Sequence, residues 1–467
     1  MSNQAGTSAE GNQARVIGFL ANPASYADVQ RVERFETHGN LVFLASSEAW
    51  KIKRAVRFPY MDFSTLEKRR LACLREVEVN RRFSDDLYLG CVPITRSAAG
   101  ALSFSGAGEI VEWAVHMRRF EQSNLLGSLA MQGRITGDLA KQLADLVYES
   151  HAGAERIAPS SGAVPIRRLV NFVCSSLRKS GAFDSADISC LACQVESQLE
   201  RVAATLDVRA AKGFVRRCHG DLHLANVVLW HSHPLLYDAI EFDEAIATID
   251  TLYDLAFLLM DLDWHGQRHQ ANVVLNRYLW RSQDELDLKG LAALPVFLAL
   301  RAGIRAMVAI DRAAQEDTCA RMRDFDRAQR YVRAGLDYLA QPAPQLTAIG
   351  GLSGTGKSTL GAALRLLWVV RQALCTSGAI SNARQSRASG NWIACQPVLI
   401  PKRRATRSIN SSKRRHRWCS RRAVQSLSMP SMQERSSGAT LKQLPSPWAS
   451  RFTGSGSRLI ATLSWRA

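Results

Sequence analysis

The run HGDLHLANVVLW, residues 219–230, brings His219, Asp221 and Asn226 into one short loop. A carboxylate at Asp221 can orient and deprotonate an attacking hydroxyl. An amide oxygen five residues on, at Asn226, can ligate a divalent metal that holds phosphates. Gly220 and short apolar spacers let the chain turn tightly between them, and VVLW reads as a strand that carries the loop. A His, an Asp and an Asn in one loop are also ordinary turn chemistry, so the neighbouring elements must decide. Further acids follow. Glu241 and Asp243, two residues apart, would share a face along a strand, and either could hold Mg²⁺.

These groups need elements to position them. After a turn at residues 231–234 the stretch 235–262 reads as a second apolar strand, a carboxylate cluster and a long apolar helix. Upstream, 31–56 reads as strands with a turn at 38–40, and Lys51 and Lys53 share one face of the last strand. Residues 59–83 read as a helix. Its capping box is Ser64 with Glu67, its apolar side includes Leu66, Leu71, Leu74 and Val77, and Glu76 lies on it. Residues 91–120 read as two or three strands. From 121 to 212 and from 266 to 340 the periodicity is helical, with Thr136 as a helix cap.

Together these pieces resemble the aminoglycoside phosphotransferase and choline kinase-like family of small-molecule kinases. That family pairs an HGDxxxxN loop with a strand-ending acid and a later D-L-A helix start, here Asp254 in YDLA. The resemblance covers the N-terminal three quarters of the chain. It implies an α+β protein-kinase-like two-lobe fold, with 16–120 as N-lobe and hinge and 121–340 as helical C-lobe. It also implies ATP and Mg²⁺ as cofactors. Asp221 would be the base, Lys51 or Lys53 would meet the α/β-phosphates, and Glu76 would be the ion-pair partner of that lysine. Asn226 with Glu241 or Asp243 would hold the metal, and Asp254 would brace the loop. Glu241 stands where the family usually has Asp. No Gly-rich phosphate flap is present in the strand region, which fits the small-molecule branch better than the protein kinases.

A second motif lies beyond a Pro-rich linker at 341–345. In LTAIGGLSGTGKSTL, residues 346–360, Gly351, Gly356, Lys357 and Ser358 satisfy G-x-x-x-x-G-K-[ST], with Gly354 and Thr359 in the same loop. A strand precedes it and a helix start follows, as a phosphate-cradling loop requires. It resembles the P-loop kinases fused behind phosphotransferase-like domains in bacteria, so 346–366 reads as the start of a P-loop α/β domain. The composition then breaks. Residues 367–467 hold 18 of the chain's 60 Lys and Arg, 18 Ser and one acid, Glu434. Without a second carboxylate the P-loop is not expected to be active. The basic tail reads as disordered, either a frameshifted or otherwise non-native continuation or a natural arm that binds nucleic acid.

Charge therefore says little about the body. The formal net charge is +18, yet the first 366 residues carry 42 basic against 41 acidic side chains. The ten cysteines are scattered, which points to a reducing cytoplasm. Cys190 and Cys193 form the one C-x-x-C, on a helix, and are expected to be buried thiols. Residues 1–15 are polar and read as a disordered leader with no signal peptide, and no membrane span is expected. The leading expectation is an ATP-dependent phosphotransferase for a hydroxyl on a sugar, amino alcohol or aminoglycoside-like compound. A nucleotide-binding pseudokinase or regulatory module, or nucleic-acid binding through the tail, are the alternatives.

Overall fold

Alternation along one strand sets the layers of the first half of the molecule. In Glu48–Lys53, Trp50 and Ile52 join one apolar cluster, while Ala49 joins another on the opposite face with Lys51 and Lys53 beside it. The computed structural model describes residues 4–37, 39–58, 61–314 and 318–340. Beyond these it describes the backbone of 346–350, 374–378, 393–397, 449–454 and 459–464. The chain forms two compact units. The first contains 1–157, 215–254 and 264–267, and the second 158–214, 255–263 and 268–467.

In the first unit, helix α1 (Gln4–Ala21) precedes strands β1 (Val32–Glu36), β2 (Asn40–Ala45) and β3 (Glu48–Lys53). A small hairpin, β4 (Arg57–Phe58) and β5 (Met61–Asp62), leads into helix α2 (Leu66–Ser84). Then come β6 (Tyr88–Arg96), β7 (Leu102–Phe104) and β8 (Glu109–Arg118). These form an antiparallel sheet in the order β1-β2-β3-β8-β6-β7. One face packs on α1 through Val16, Leu20, Phe43, Trp50 and Ile52. The other packs on α2 through Cys73, Val77, Leu87, Val115 and Met117. The inner strands β2 and β3 thus bury both faces, while the edge strands β1 and β7 stay partly exposed.

Two expectations change here. The leader expected to be disordered is a helix from Gln4. Gln13, buried at 8% exposure, bonds three groups: it donates to the Lys53 carbonyl and to Glu112, and accepts from Ala55 N–H. The cap of α2 is Thr65, not Ser64. The Thr65 hydroxyl accepts from Lys68 N–H, whereas Ser64 bonds back to Asp62.

The remainder of the first unit holds α3 (Leu126–Met131), α4 (Gly137–Gly153, capped by Thr136 as expected) and β9 (Arg156–Ile157). It continues with β10 (Val215–Arg217), β11 (Val227–Trp230), β12 (His233–Leu236), α7 (Glu244–Ala247) and β13 (Thr248–Asp250). Strands β13-β10-β9 form one antiparallel sheet, and β11 with β12 forms a hairpin. Helix α8 (Thr251–Trp264) starts in this unit.

The second unit is built on α5 (Ala163–Lys179), α6 (Ser185–Ala211), α9 (Arg268–Ser282), α10 (Glu285–Gly290), α11 (Leu294–Ala313) and α12 (Thr318–Leu339). Helix α11 packs on α12 and α5, and α6 on α12. The stretch Glu285–Ala313 passes a test of length and apolar composition for crossing a membrane, but 61% of its most apolar window is buried, as in a core helix. Cys190 and Cys193 are exposed rather than buried. The expected strand before the P-loop is present as β14 (Leu346–Gly350). It pairs antiparallel with β16 (Ile393–Pro397) and β18 (Leu459–Ser464), with β15 (Leu374–Gly378) and β17 (Ala449–Gly454) at the edges. A P-loop α/β domain would carry parallel strands. Four of these strands fall in the tail expected to be disordered. Gly351, Gly354, Gly356, Lys357, Ser358 and Thr359 lie outside the described residues.

Candidate active site

The loop between β10 and β11 is held from beneath by a buried carboxylate. Asp254, in the first turn of α8, accepts the backbone N–H of His219 (3.2 Å) and of Gly220 (3.0 Å), and its Oδ2 meets His151 Nε2 at 3.1 Å. Gly220 adopts a left-handed φ of 84°, and a Cβ there would come within 3.1–3.3 Å of Ile240 and Ala247. Glycine is needed at this turn on both counts. His219 Nδ1 accepts the Asp221 N–H (3.3 Å) while Nε2 donates to the Tyr237 carbonyl (2.9 Å). Burial pushes its imidazole below the ordinary histidine range. Asn226 Nδ2 donates to the Asp221 carbonyl (3.0 Å) and carboxylate (3.1 Å), which closes the loop on itself.

Facing this loop in the same unit is a chain of alternating charges. Lys51 Nζ lies 2.6 Å from Asp238 Oδ1 and 2.9 Å from Glu76 Oε1. Lys53 Nζ lies 2.5 Å from Glu76 Oε2 and also meets Glu241. Glu76, fully buried on α2, is thus shared between two lysines of one strand face. Desolvation opposes every one of these charges, and proximity decides the balance. Asp238 and Glu76 hold Lys51 well above the usual lysine range, and Glu241 and Glu76 raise Lys53. Lys51 and Lys53 keep Glu76 low, and Lys51 keeps Asp238 low. Glu241 goes the other way: burial raises it, and Lys53 does not fully compensate. With three carboxylates to two ammoniums, one charge is in excess.

Asp238 comes from the end of the β11–β12 hairpin, with φ 59°, a conformation that L-residues adopt at a cost. Its N–H donates to the Tyr88 hydroxyl (3.1 Å), and the next N–H, of Ala239, donates to Asn80 on α2 (2.8 Å). Its side chain is 41% exposed, and Asp221 is near enough to oppose its charge. Asp221, Asn226 and Asp238 therefore converge.

Sequence reasoning named neither Asp238 nor its backbone holders, Tyr88 and Asn80. The visible signal is that Asp238 ends the apolar run Leu235–Tyr237. Asp243 is not part of this centre. Its carboxylate caps α7, accepting from Ala245 and Ile246 N–H. Glu241 reaches the cluster but turns to Lys53. Glu244 bridges α2 and β10 through Arg75 and Arg217. Among the described residues, His151, Cys218 and Asp254 also bring metal-ligating atoms within 4.8 Å of one another. Asp254 accepts from two backbone N–H groups and meets His151, contacts that suit a brace for the loop.

No protein-family model matches the chain. It is similar to proteins of Mycobacterium tuberculosis and Mycobacterium bovis described only as uncharacterized. Each is 28% identical over 334 residues, which is 70% of this chain and 63% of the relative. The chain thus spans less than two thirds of the length of these relatives. Among solved structures it is similar to the GDP complex of aminoglycoside 2'-phosphotransferase-IIIa, with TM-score 0.43, 14% identity, and coverage of 69% of this chain and 99% of that one. It is also similar to choline kinase from Cryptosporidium parvum, with TM-score 0.43, 11% identity, and coverage of 70% and 95%. At this depth of likeness the functional reading has to come from the geometry of the site.

Proposed function

We propose that this chain is an ATP- and Mg²⁺-dependent phosphotransferase that acts on a hydroxyl of a small molecule. The observation that carries the reading is Lys51. It is a buried ammonium held between a helix carboxylate, Glu76, and a hairpin-end carboxylate, Asp238, beside a loop bearing Asp221 and Asn226. Phosphoryl transfer asks for this set: a cation for the phosphates, oxygen ligands for a metal, and a carboxylate for the acceptor. Asn226 and Asp238 offer hard oxygen donors that suit Mg²⁺, and the lowered pKa of Asp238 keeps it ionised at neutral pH. When bound, the metal neutralises charge on the phosphates.

In this mechanism Lys51 anchors the α/β-phosphates and Glu76 keeps its ammonium in place. Asp221 accepts the proton of the acceptor hydroxyl as its oxygen bonds to the γ-phosphorus. The bond from that phosphorus to the β,γ-bridging oxygen breaks, and ADP departs with the electron pair. Lys53 is fully buried, and its partners are Glu76 and Glu241, so it acts as a support. The acceptor class is a sugar, amino alcohol or aminoglycoside-like compound. The test is Mg²⁺-dependent ATP turnover by the full chain. Asp221→Ala should lower it by roughly a hundredfold or more with ATP binding retained. ATP binding with no turnover sensitive to Asp221 would instead identify a nucleotide-binding regulatory module.

A further inference from the structure

Two histidines flank Asp221, and they hold different parts of it. His219 takes the backbone N–H of Asp221, as described above. His223 meets the carboxylate: its Nε2 lies 3.3 Å from Asp221 Oδ2, the oxygen that also receives Asn226 Nδ2. The other ring nitrogen of His223, Nδ1, accepts the Ala225 N–H at 3.2 Å. A ring nitrogen that accepts an N–H carries no proton, so the neutral ring must bear its hydrogen on Nε2, aimed at Asp221. Adding a proton at Nδ1 would set two N–H groups against each other. The residue is 8% exposed, in a loop closed by Asn226, so the ring has little freedom to turn away.

We propose, on the phosphotransfer reading above, that His223 is a positioning residue for the base: its Nε2–H fixes the Asp221 carboxylate in the rotamer that meets the acceptor. Such a donor orients the carboxylate and stabilises its ionised form without placing a cation beside the phosphates. His223 neither gains nor loses a proton in the reaction. The acceptor's proton moves to Asp221 alone.

The experiment uses the full chain, Mg²⁺-ATP, and water as the acceptor. His223→Phe keeps a ring of similar size and removes the donor, and His223→Gln restores an N–H at about the reach of Nε2. The expected result is a kcat lower by roughly 10- to 100-fold in His223→Phe, with KM for ATP within about twofold of wild type. His223→Gln should recover most of that loss. In ¹⁵N-histidine spectra, His223 should be protonated at Nε2 and bare at Nδ1, and Asp221→Asn should shift the Nε2 signal. An unchanged kcat in His223→Phe overturns the proposal. So does a raised KM at constant kcat, which would put His223 on the phosphates, or a His223 protonated at Nδ1. Wild-type turnover that Asp221→Ala does not reduce overturns the phosphotransfer reading itself, and the tautomer spectrum still decides whether His223 holds Asp221.

Discussion

Asp238 and Asp243 make opposite predictions for the same substitution. Asp238→Asn removes a carboxylate beside Lys51 and Asp221, so Mg²⁺-ATP turnover should fall by about a hundredfold or more. Asp243→Ala removes a helix cap, so turnover should persist while thermal unfolding reports a loss of about 1 kcal/mol. Glu241 gives a pH test. Its carboxyl is raised in the folded state, so the folded chain binds the proton more tightly than the unfolded one. Its contribution is then fully present below the ordinary glutamate range and is lost as pH rises through the folded value. Glu241→Gln should escape that loss, so its melting midpoint should gain on the wild type as pH rises above the ordinary glutamate range. At this scale the sequence was most legible where spacing fixes geometry. Lys51 and Lys53 share a face because side chains alternate, and Asp221 and Asn226 share a loop because only four residues separate them. Asp238 was hidden because the strand end cannot be read from apolar residues alone. The strand stops at Leu236, and Ile240, which reads as its continuation, lies in the irregular segment that follows.

Among the elements, α1 and α2 clasp the sheet that carries the lysines, and each can be loosened singly. Gln13→Ala would strip the Lys53 carbonyl, Glu112 and the Ala55 N–H of a shared buried partner. A loss of about 1–3 kcal/mol in denaturant unfolding is expected. Thr65→Ala should cost about 1 kcal/mol by uncapping α2, without touching Glu76 directly. The strands and α4 were legible from alternation and from the Thr136 cap. Helix α1 was not, because its polar N-terminal half shows no stripe and the apolar residues that meet the core, such as Val16 and Leu20, come at its C-terminal end. The exposure of Cys190 and Cys193 follows from helical phase. Ile188, Leu191, Val195, Leu199 and Val202 form the buried stripe of α6, and the two cysteines fall outside it.

Over the whole molecule, charge and chemistry are segregated. Every residue of the proposed centre lies between 51 and 254, while 18 of the basic residues lie after 366. A chain lacking 367–467 should keep its Mg²⁺-ATP turnover. Any nucleic-acid binding, read by anisotropy across a salt series, should disappear with the deleted segment. Reading the coding DNA past codon 366 in all three frames tests the origin of that segment. Another frame that restores an acid-containing remainder of a P-loop domain marks it as a frameshift product, and no such frame marks it as a native basic arm.

The distance in sequence between the lysines and their carboxylates also sets an order of events during synthesis. Lys53 and Glu76 are 23 residues apart, but Lys51 waits 187 residues for Asp238 and Lys53 waits 188 for Glu241. At about 5–20 residues per second, a ribosome needs roughly 10–40 s to cross that gap. Throughout it, two ammoniums facing α2 have one carboxylate between them. Residues 158–214, which belong to the other unit, emerge in the same interval. The sheet and its two helices are therefore complete in sequence well before both lysines have their remaining carboxylates. A chain stalled in this window would carry an uncompensated cation where the finished molecule carries none. Synthesis of residues 238–241, rather than completion of the sheet, is the event that supplies these lysines with Asp238 and Glu241.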